Sequence, residues 1–227
     1  MAVAQRWPAA ATTVSASLAL AAAAGIAVFA TGGIGGVHRD WPMSGDESAD
    51  LAALARHPVV TVCAGVKAFL DLPRTLERLE TLGVPVVGVD TDGGRFPAFW
   101  SRRSALPVPH PVASPAEAAD VVRAARALGW GGGVLVVTPV PEGSDVTAEE
   151  LGPVIDAALV AASEAGVAGG AVTPFVLDRI ATATDGRTVA ANVALVERNA
   201  AVAAAVAGAL ADPQRPSSAD GRSQMRT

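Results

Sequence analysis

The sequence predicts an α/β fold, a layered, mainly parallel sheet with helices on both faces, and three observations predict it. Short valine-rich runs recur at residues 59–63, 84–89 and 133–140, each bounded by glycine or proline, as buried strands are. Between them lie longer stretches that open on capping patterns, Ser114-Pro115-Ala116-Glu117 and Thr147-Ala148-Glu149-Glu150, and close near Gly129 and Gly166. Strands that alternate with helices in this way pair in parallel, and ligands then gather beyond the strand ends.

With 227 residues, 51% of them hydrophobic, the chain is expected to bury one sizeable core over residues 1–212. The polar tail after Asp212, rich in Pro, Ser and Arg, has the composition of a disordered segment. A formal net charge of −5 argues against a nucleic-acid partner, which asks for a basic face. Cys63 is the single cysteine, so no disulfide forms within the chain, and its apolar strand makes it a buried hydrophobe rather than a nucleophile. His38, His57 and His110 lack the spacing of a zinc site; a site of carboxylates and waters stays open.

Residues 7–37 carry no charge, a length that resembles a membrane span or a signal peptide with Arg6 as its positive flank. Alanine and glycine give little transfer energy, however, and Gly25 divides the run. A helix over residues 12–24, a stop at Gly25 and a strand over residues 26–30 fit better, in a soluble chain that does not enter the membrane.

That strand leads into Thr31-Gly32-Gly33-Ile34-Gly35-Gly36-Val37-His38-Arg39, a glycine loop whose backbone N–H groups suit an anion such as phosphate. Its glycine spacing is not that of a dinucleotide fingerprint, and glycines also serve ordinary turns. Next, Ser44 with Glu47 three residues on reads as a capping box opening a helix to about Arg56. One cap needs neither Asp46 nor Asp50, and carboxylates at that place suit a hard divalent cation or sugar hydroxyls.

The strand at residues 59–63 ends in Ala64-Gly65-Val66-Lys67. A lysine over a sheet edge stands partly out of water, which lowers its pKa and frees a nucleophilic amine able to form a Schiff base with a sugar carbon. The same position suits a lysine whose stem lies along the first turn of a following helix, and the residues alone leave both readings open. Further on, a helix with Pro73 near its start closes at Gly83, and Asp90-Thr91-Asp92-Gly93-Gly94 is a turn. Residues 96–100 are a short strand or an aromatic plug, and residues 104–114 a proline-rich connection. Two late helices begin at Pro174 and at about Val189.

The glycine loop, Asp46-Glu47-Ser48-Ala49-Asp50-Leu51 and Val62-Cys63-Ala64-Gly65-Val66-Lys67 resemble, in order, consecutive motifs of the pseudouridine-5′-phosphate glycosidase family, also called indigoidine-synthase-A-like. The similarity continues through Phe96-Pro97-Ala98-Phe99-Trp100-Ser101-Arg102, Thr173-Pro174-Phe175 and Asn192-Val193-Ala194-Leu195. The resemblance implies reversible cleavage of the C-glycosidic bond of pseudouridine 5′-phosphate to uracil and ribose 5-phosphate, in pseudouridine catabolism, by a cytoplasmic enzyme. It implies that Lys67 is the nucleophile and Asp46 a manganese (Mn2+) ligand, and that Val14, Ser48, Ala49 and Asp50 bind substrate. Thr31, His38 and Asn192 match phosphate or ribose contacts, although Asn192 also reads as a polar residue on a helix. Its partners would be a small-molecule nucleotide and further copies of itself, a trimer by the family's habit, with neither nucleic acid nor membrane.

Against the family pattern, the chain is expected to lack the amino-terminal third, which holds a proton-donating glutamate and a substrate-binding lysine. Neither role falls on a residue of this sequence. A non-catalytic remnant that binds sugar phosphates is the alternative reading, with a small membrane-anchored protein a distant third.

Overall fold

Five short strands, β1 (Val28–Ala30), β2 (Val60–Cys63), β3 (Val86–Val89), β4 (His110–Val112) and β5 (Val134–Val137), all pair in parallel, in the order β1-β2-β5-β3-β4. The computed structural model describes Arg6 and residues 11–212, and the tail expected to be disordered lies outside them. Every residue of β2, β3 and β5 is buried, the condition of a central parallel strand covered on both faces.

Side-chain alternation divides those valine runs between two layers. Val60, Val62, Val134 and Val136 meet α5 (Pro115–Ala127) and α8 (Arg187–Ala211) on one face. Cys63, Leu135 and Val137 face the larger core on the other. That side is covered by α1 (Val14–Ala23), α3 (Ala49–Arg56), α4 (Leu72–Thr81), α6 (Ala148–Glu164) and α7 (Val172–Ala183). The remaining helix is one turn, α2 (Trp41–Ser44).

The charge-free amino-terminal stretch folds, from residue 11 on, as α1, a turn at Gly25 with φ of +71°, and β1. Among the described residues, the helix that is long and apolar enough to cross a membrane is instead α8, by length and composition alone. One face of it lies on the sheet, burying Leu195, Val202 and Val206. That is a helix packed on the sheet by one face, with Val189, Val193 and Val196 left exposed on the other side.

Several boundaries differ from expectation for local reasons. Ser44 ends α2 instead of opening the next helix, because Gly45 turns the chain left-handed at φ of +66°. Ser48 is the true cap of α3, its Oγ accepting the N–H of Asp50 at 3.2 Å, while Glu47 reaches Arg78 at 3.0 Å. The proline-rich connection hides β4, an edge strand where Pro111, which has no N–H, is tolerated. Residues 96–100 form the plug rather than a strand, with Phe96, Phe99 and Trp100 all buried. Strands β3 and β5 are shorter than the valine runs that contain them, and α8 starts at Arg187, just ahead of Val189.

Candidate active site

Two loops leave neighbouring strands and stitch themselves together at the carboxyl end of the sheet. The N–H of Ala64 donates to Gly32 O at 2.9 Å, that of Ile34 to Gly65 O at 3.0 Å, and that of Lys67 to Ile34 O at 3.1 Å. The β1–β2 ladder therefore continues past the strands as paired loops, which gives both loops a fixed course. Two positions show why this weave needs glycine. A Cβ on Gly35 would stand 2.2 Å from Ser48 Oγ, and Gly65, at φ of +94°, would drive one to 2.5 Å from Pro97 O.

Asp50 locks the arrangement from α3. Its Oδ2 accepts the N–H of Gly35 and its Oδ1 that of Ser15, each at 2.8 Å, and the residue is only 4% exposed. A carboxylate has further lone pairs, so Asp50 can still receive a substrate hydroxyl. Asp46, by contrast, leaves its carboxylate 43% exposed, 3.8 Å from His38 Nε2, while its carbonyl accepts the N–H of His38 at 3.1 Å.

Lys67 stands in the loop, with α4 starting only at Leu72, so its stem does not lie along a helical first turn. It is half-buried, and among the described residues its ammonium has neither a carboxylate nor any other hydrogen-bond partner. Cys63, just below, is fully buried, and burial pushes its thiol up to about 12, which removes it as a nucleophile at neutral pH.

Between the loops, α1, α7 and α8 lies a cleft of about 960 Å³. Val14, Thr31, His38, Asp46, Ser48, Ala49, Asp50, Lys67 and Asn192 all line it. Residues from α1, two loops, α3 and α8, distant in sequence, are thus brought to one space. Asn192 turns a buried Oδ1 toward Gly32 with no partner among the described residues, an acceptor in want of a donor. The cleft also takes in Phe99 and Thr173, to which sequence reasoning gave no role although both stand in the matched motifs. Phe99 holds φ of +64°, a strained conformation for a bulky residue, and its ring presses on Gly33.

For a metal, no group of three or more His, Cys, Asp or Glu side chains gathers at ligand spacing among the described residues. Asp46 is the accessible carboxylate of the cleft, whereas both oxygens of Asp50 are already engaged by the backbone. This set fits a hard divalent cation held by one carboxylate with water completing its shell, as Mg2+-like ions are often held, and does not fit an all-protein cage.

The motif order and the cleft agree with a match of residues 1–209 to the model of indigoidine synthase A-like proteins. The chain belongs to this family. Within it, the chain is 56% identical over 199 residues to the pseudouridine-5′-phosphate glycosidase of Methylobacterium nodulans, covering 88% of this chain and 58% of that protein. It is 53% identical to the protein of the same name from Paracoccus denitrificans, covering 88% of this chain and 66% of that one. The structure of the prealnumycin C-glycosynthase AlnA in complex with ribulose 5-phosphate superposes with a TM-score of 0.81 at 35% identity, over 88% of this chain and 65% of that one. An indigoidine synthase A-like protein from Thermotoga maritima gives 0.78 at 37% identity, over 88% and 64%. The chain thus spans about three-fifths to two-thirds of the length of these relatives and structural neighbours.

Proposed function

We propose that the protein cleaves the C-glycosidic bond of pseudouridine 5′-phosphate, reversibly, to uracil and ribose 5-phosphate, through an adduct on Lys67. The observation that carries this reading is Lys67 itself, the only lysine of the chain, half-buried and without a partner among the described residues, in the cleft that the other candidate residues line. In support, pseudouridine-5′-phosphate glycosidases are among its relatives, and a structural neighbour at 35% identity was captured with ribulose 5-phosphate.

A carbon–carbon link offers no nitrogen or oxygen leaving group, so simple protonation does not release the base. The Lys67 amine attacks the sugar C1 as the bond from C1 to the ring oxygen breaks, and that oxygen takes a proton. The nitrogen lone pair then forms a C=N bond and expels the base, whose carbon keeps the bonding pair until it is protonated. Water adds to the imine, ribose 5-phosphate leaves as the aldehyde, and the amine is restored. Asp50, Ser48 and Asn192 offer acceptors and a donor for the sugar hydroxyls, while Thr31 and the glycine loop face the phosphate. Val14 and Ala49 belong to the apolar wall of the cleft, with Phe29, Leu70, Phe99 and Leu177. Asp46 would hold Mn2+, which when bound supplies positive charge for the substrate's oxygens.

Trapping tests this reading: ribose 5-phosphate and borohydride are added to the 227-residue protein, and its peptides are mapped by mass spectrometry. Reduced adduct on Lys67, together with uracil release from pseudouridine 5′-phosphate, is expected. Adduct without release would favour sugar-phosphate binding without turnover, and a folded protein with no adduct would remove Lys67 from the mechanism. As part of the same reading we place the protein in the cytoplasm, as a homo-oligomer, with a trimer as the form that sedimentation should show.

A further inference from the structure

Asn199 lies about two helical turns beyond Asn192 on α8 and is fully buried. Its Nδ2 donates to Thr31 O at 2.7 Å and to Gly32 O at 3.2 Å. Its Oδ1 is buried with no partner among the described residues. Burying an amide and leaving one end unsatisfied is destabilising, so an apolar residue would serve the alanine-rich helix better. What Asn199 obtains in exchange is control of two successive carbonyls in the loop after β1.

We propose that Asn199 is a positioning residue for phosphate binding, holding the peptide planes that follow Thr31 and Gly32 so that their N–H groups receive the 5′-phosphate of the substrate. The inference rests on the sugar-phosphate reading above and adds to it a residue outside the cleft lining. All peptides here are trans, and in a trans peptide the C=O and the N–H point in opposite directions. Drawing Thr31 O and Gly32 O toward α8 therefore turns the N–H groups of Gly32 and Gly33 away from it. Both residues line the cleft, and neither N–H donates to any group among the described residues. Neighbouring N–H groups are otherwise committed: Thr31 to Val62 O, Ile34 to Gly65 O and Gly35 to Asp50. Two adjacent free donors at a strand end form an anion-binding pair, and only fixed peptide planes keep them aimed together.

Glycine at both positions lets the planes turn freely, so the restraint must come from outside the loop: the N–H of Ala64 already holds Gly32 O at 2.9 Å, which Asn199 shares, while Thr31 O is held by Asn199. Phe99 supplies contact from the far side, its ring where a Gly33 side chain would stand, but it exerts no directional pull. Asn199 alone on α8 gives hydrogen bonds to both carbonyls.

The experiment measures calorimetric affinity for ribose 5-phosphate, inorganic phosphate and ribose, together with the yield of reduced Lys67 adduct at saturating ribose 5-phosphate. Asn199→Leu keeps the branched shape and the number of heavy atoms and removes the donors, whereas Asn199→Asp also sets a carboxylate against two carbonyls. In Asn199→Leu, affinity for both phosphate-bearing ligands is expected to fall about tenfold, while the adduct yield at saturation holds, the signature of lost uniform binding. If Asn199→Asp unfolds, Asn199→Leu still decides the matter. Unchanged phosphate affinity, an equal loss for plain ribose, or a parent protein that binds neither phosphate ligand would overturn the assignment. A parent that forms no Lys67 adduct, with phosphate affinity still falling in the variant, would sink the lysine mechanism and support the role of Asn199.

Discussion

The carboxylate of Asp50 and the backbone N–H of Gly35 meet at 2.8 Å, and the same carboxylate takes the N–H of Ser15 at an equal distance. One buried side chain thereby ties α1, α3 and the glycine loop to each other before any ligand arrives. Lys67 is placed indirectly by the same tie, since its N–H bonds to Ile34 O one residue ahead of Gly35.

Asp50→Ala should therefore cost more than a typical surface change. It leaves two backbone donors without acceptors, at about 1–3 kcal/mol for each buried group. Urea denaturation should show the loss. A midpoint equal to that of the parent would mean that the carboxylate is not what holds the loop.

Gly35→Ala should disturb the same place through volume. Its Cβ would collide with Ser48 Oγ at 2.2 Å and approach Asp50 Oδ2 at 2.9 Å, a clash whose relief costs about 1–3 kcal/mol. Gly131→Ala is the matched control, with no atom within 4 Å of its Cβ, and should stay within about 0.5 kcal/mol of the parent. Equal stability of the two variants would remove the steric reason for glycine at position 35.

Cys63 should resist thiol reagents at pH 8 in the native protein and react fully once the chain is unfolded. Burial raises it from an ordinary 9.0 to about 12, so the unfolded chain releases this proton before the folded one does. The contribution to stability is whole below pH 9.0, declines as the pH rises above it and is lost by about 12. Removing the thiol in Cys63→Ala should flatten that part of the stability profile. Rapid native labelling at pH 8 would contradict the burial.

Asp46→Asn should weaken Mn2+ binding, read directly from the free-ion electron paramagnetic resonance signal without reference to turnover. Asp46 is the accessible carboxylate of the cleft, so the variant should lose about tenfold or more in affinity. Equal Mn2+ uptake by both proteins would place the ion elsewhere.

The protein should remain in the supernatant after membranes are pelleted, because one face of α8 is spent on the sheet, where Leu195, Val202 and Val206 are buried. Recovery only in detergent would mean that α8 leaves that position for lipid.

By itself the sequence determined the layers and the ends where chemistry gathers. Valine runs such as 60–63 and 134–137 can only be strands covered on both sides, and the glycine, aspartate and lysine motifs fall just past those strands. Such signals are local, carried by residues next to one another. It did not determine which acceptors and donors were already spent. Asp46 and Asp50 looked alike as surplus carboxylates, yet Asp50 is anchored by backbone donors 15 and 35 residues away while Asp46 stays open to solvent. The cap of α3 moved from Ser44 to Ser48 for a local reason, the left-handed turn at Gly45, but that Glu47 pairs with Arg78 across the fold was not legible in the sequence. Asn199 gave no signal at all, an amide in an alanine-rich helix whose partners, Thr31 and Gly32, stand at the other end of the chain. Hydrogen bonds between distant segments depend on distance and direction in space, and only tertiary packing sets those.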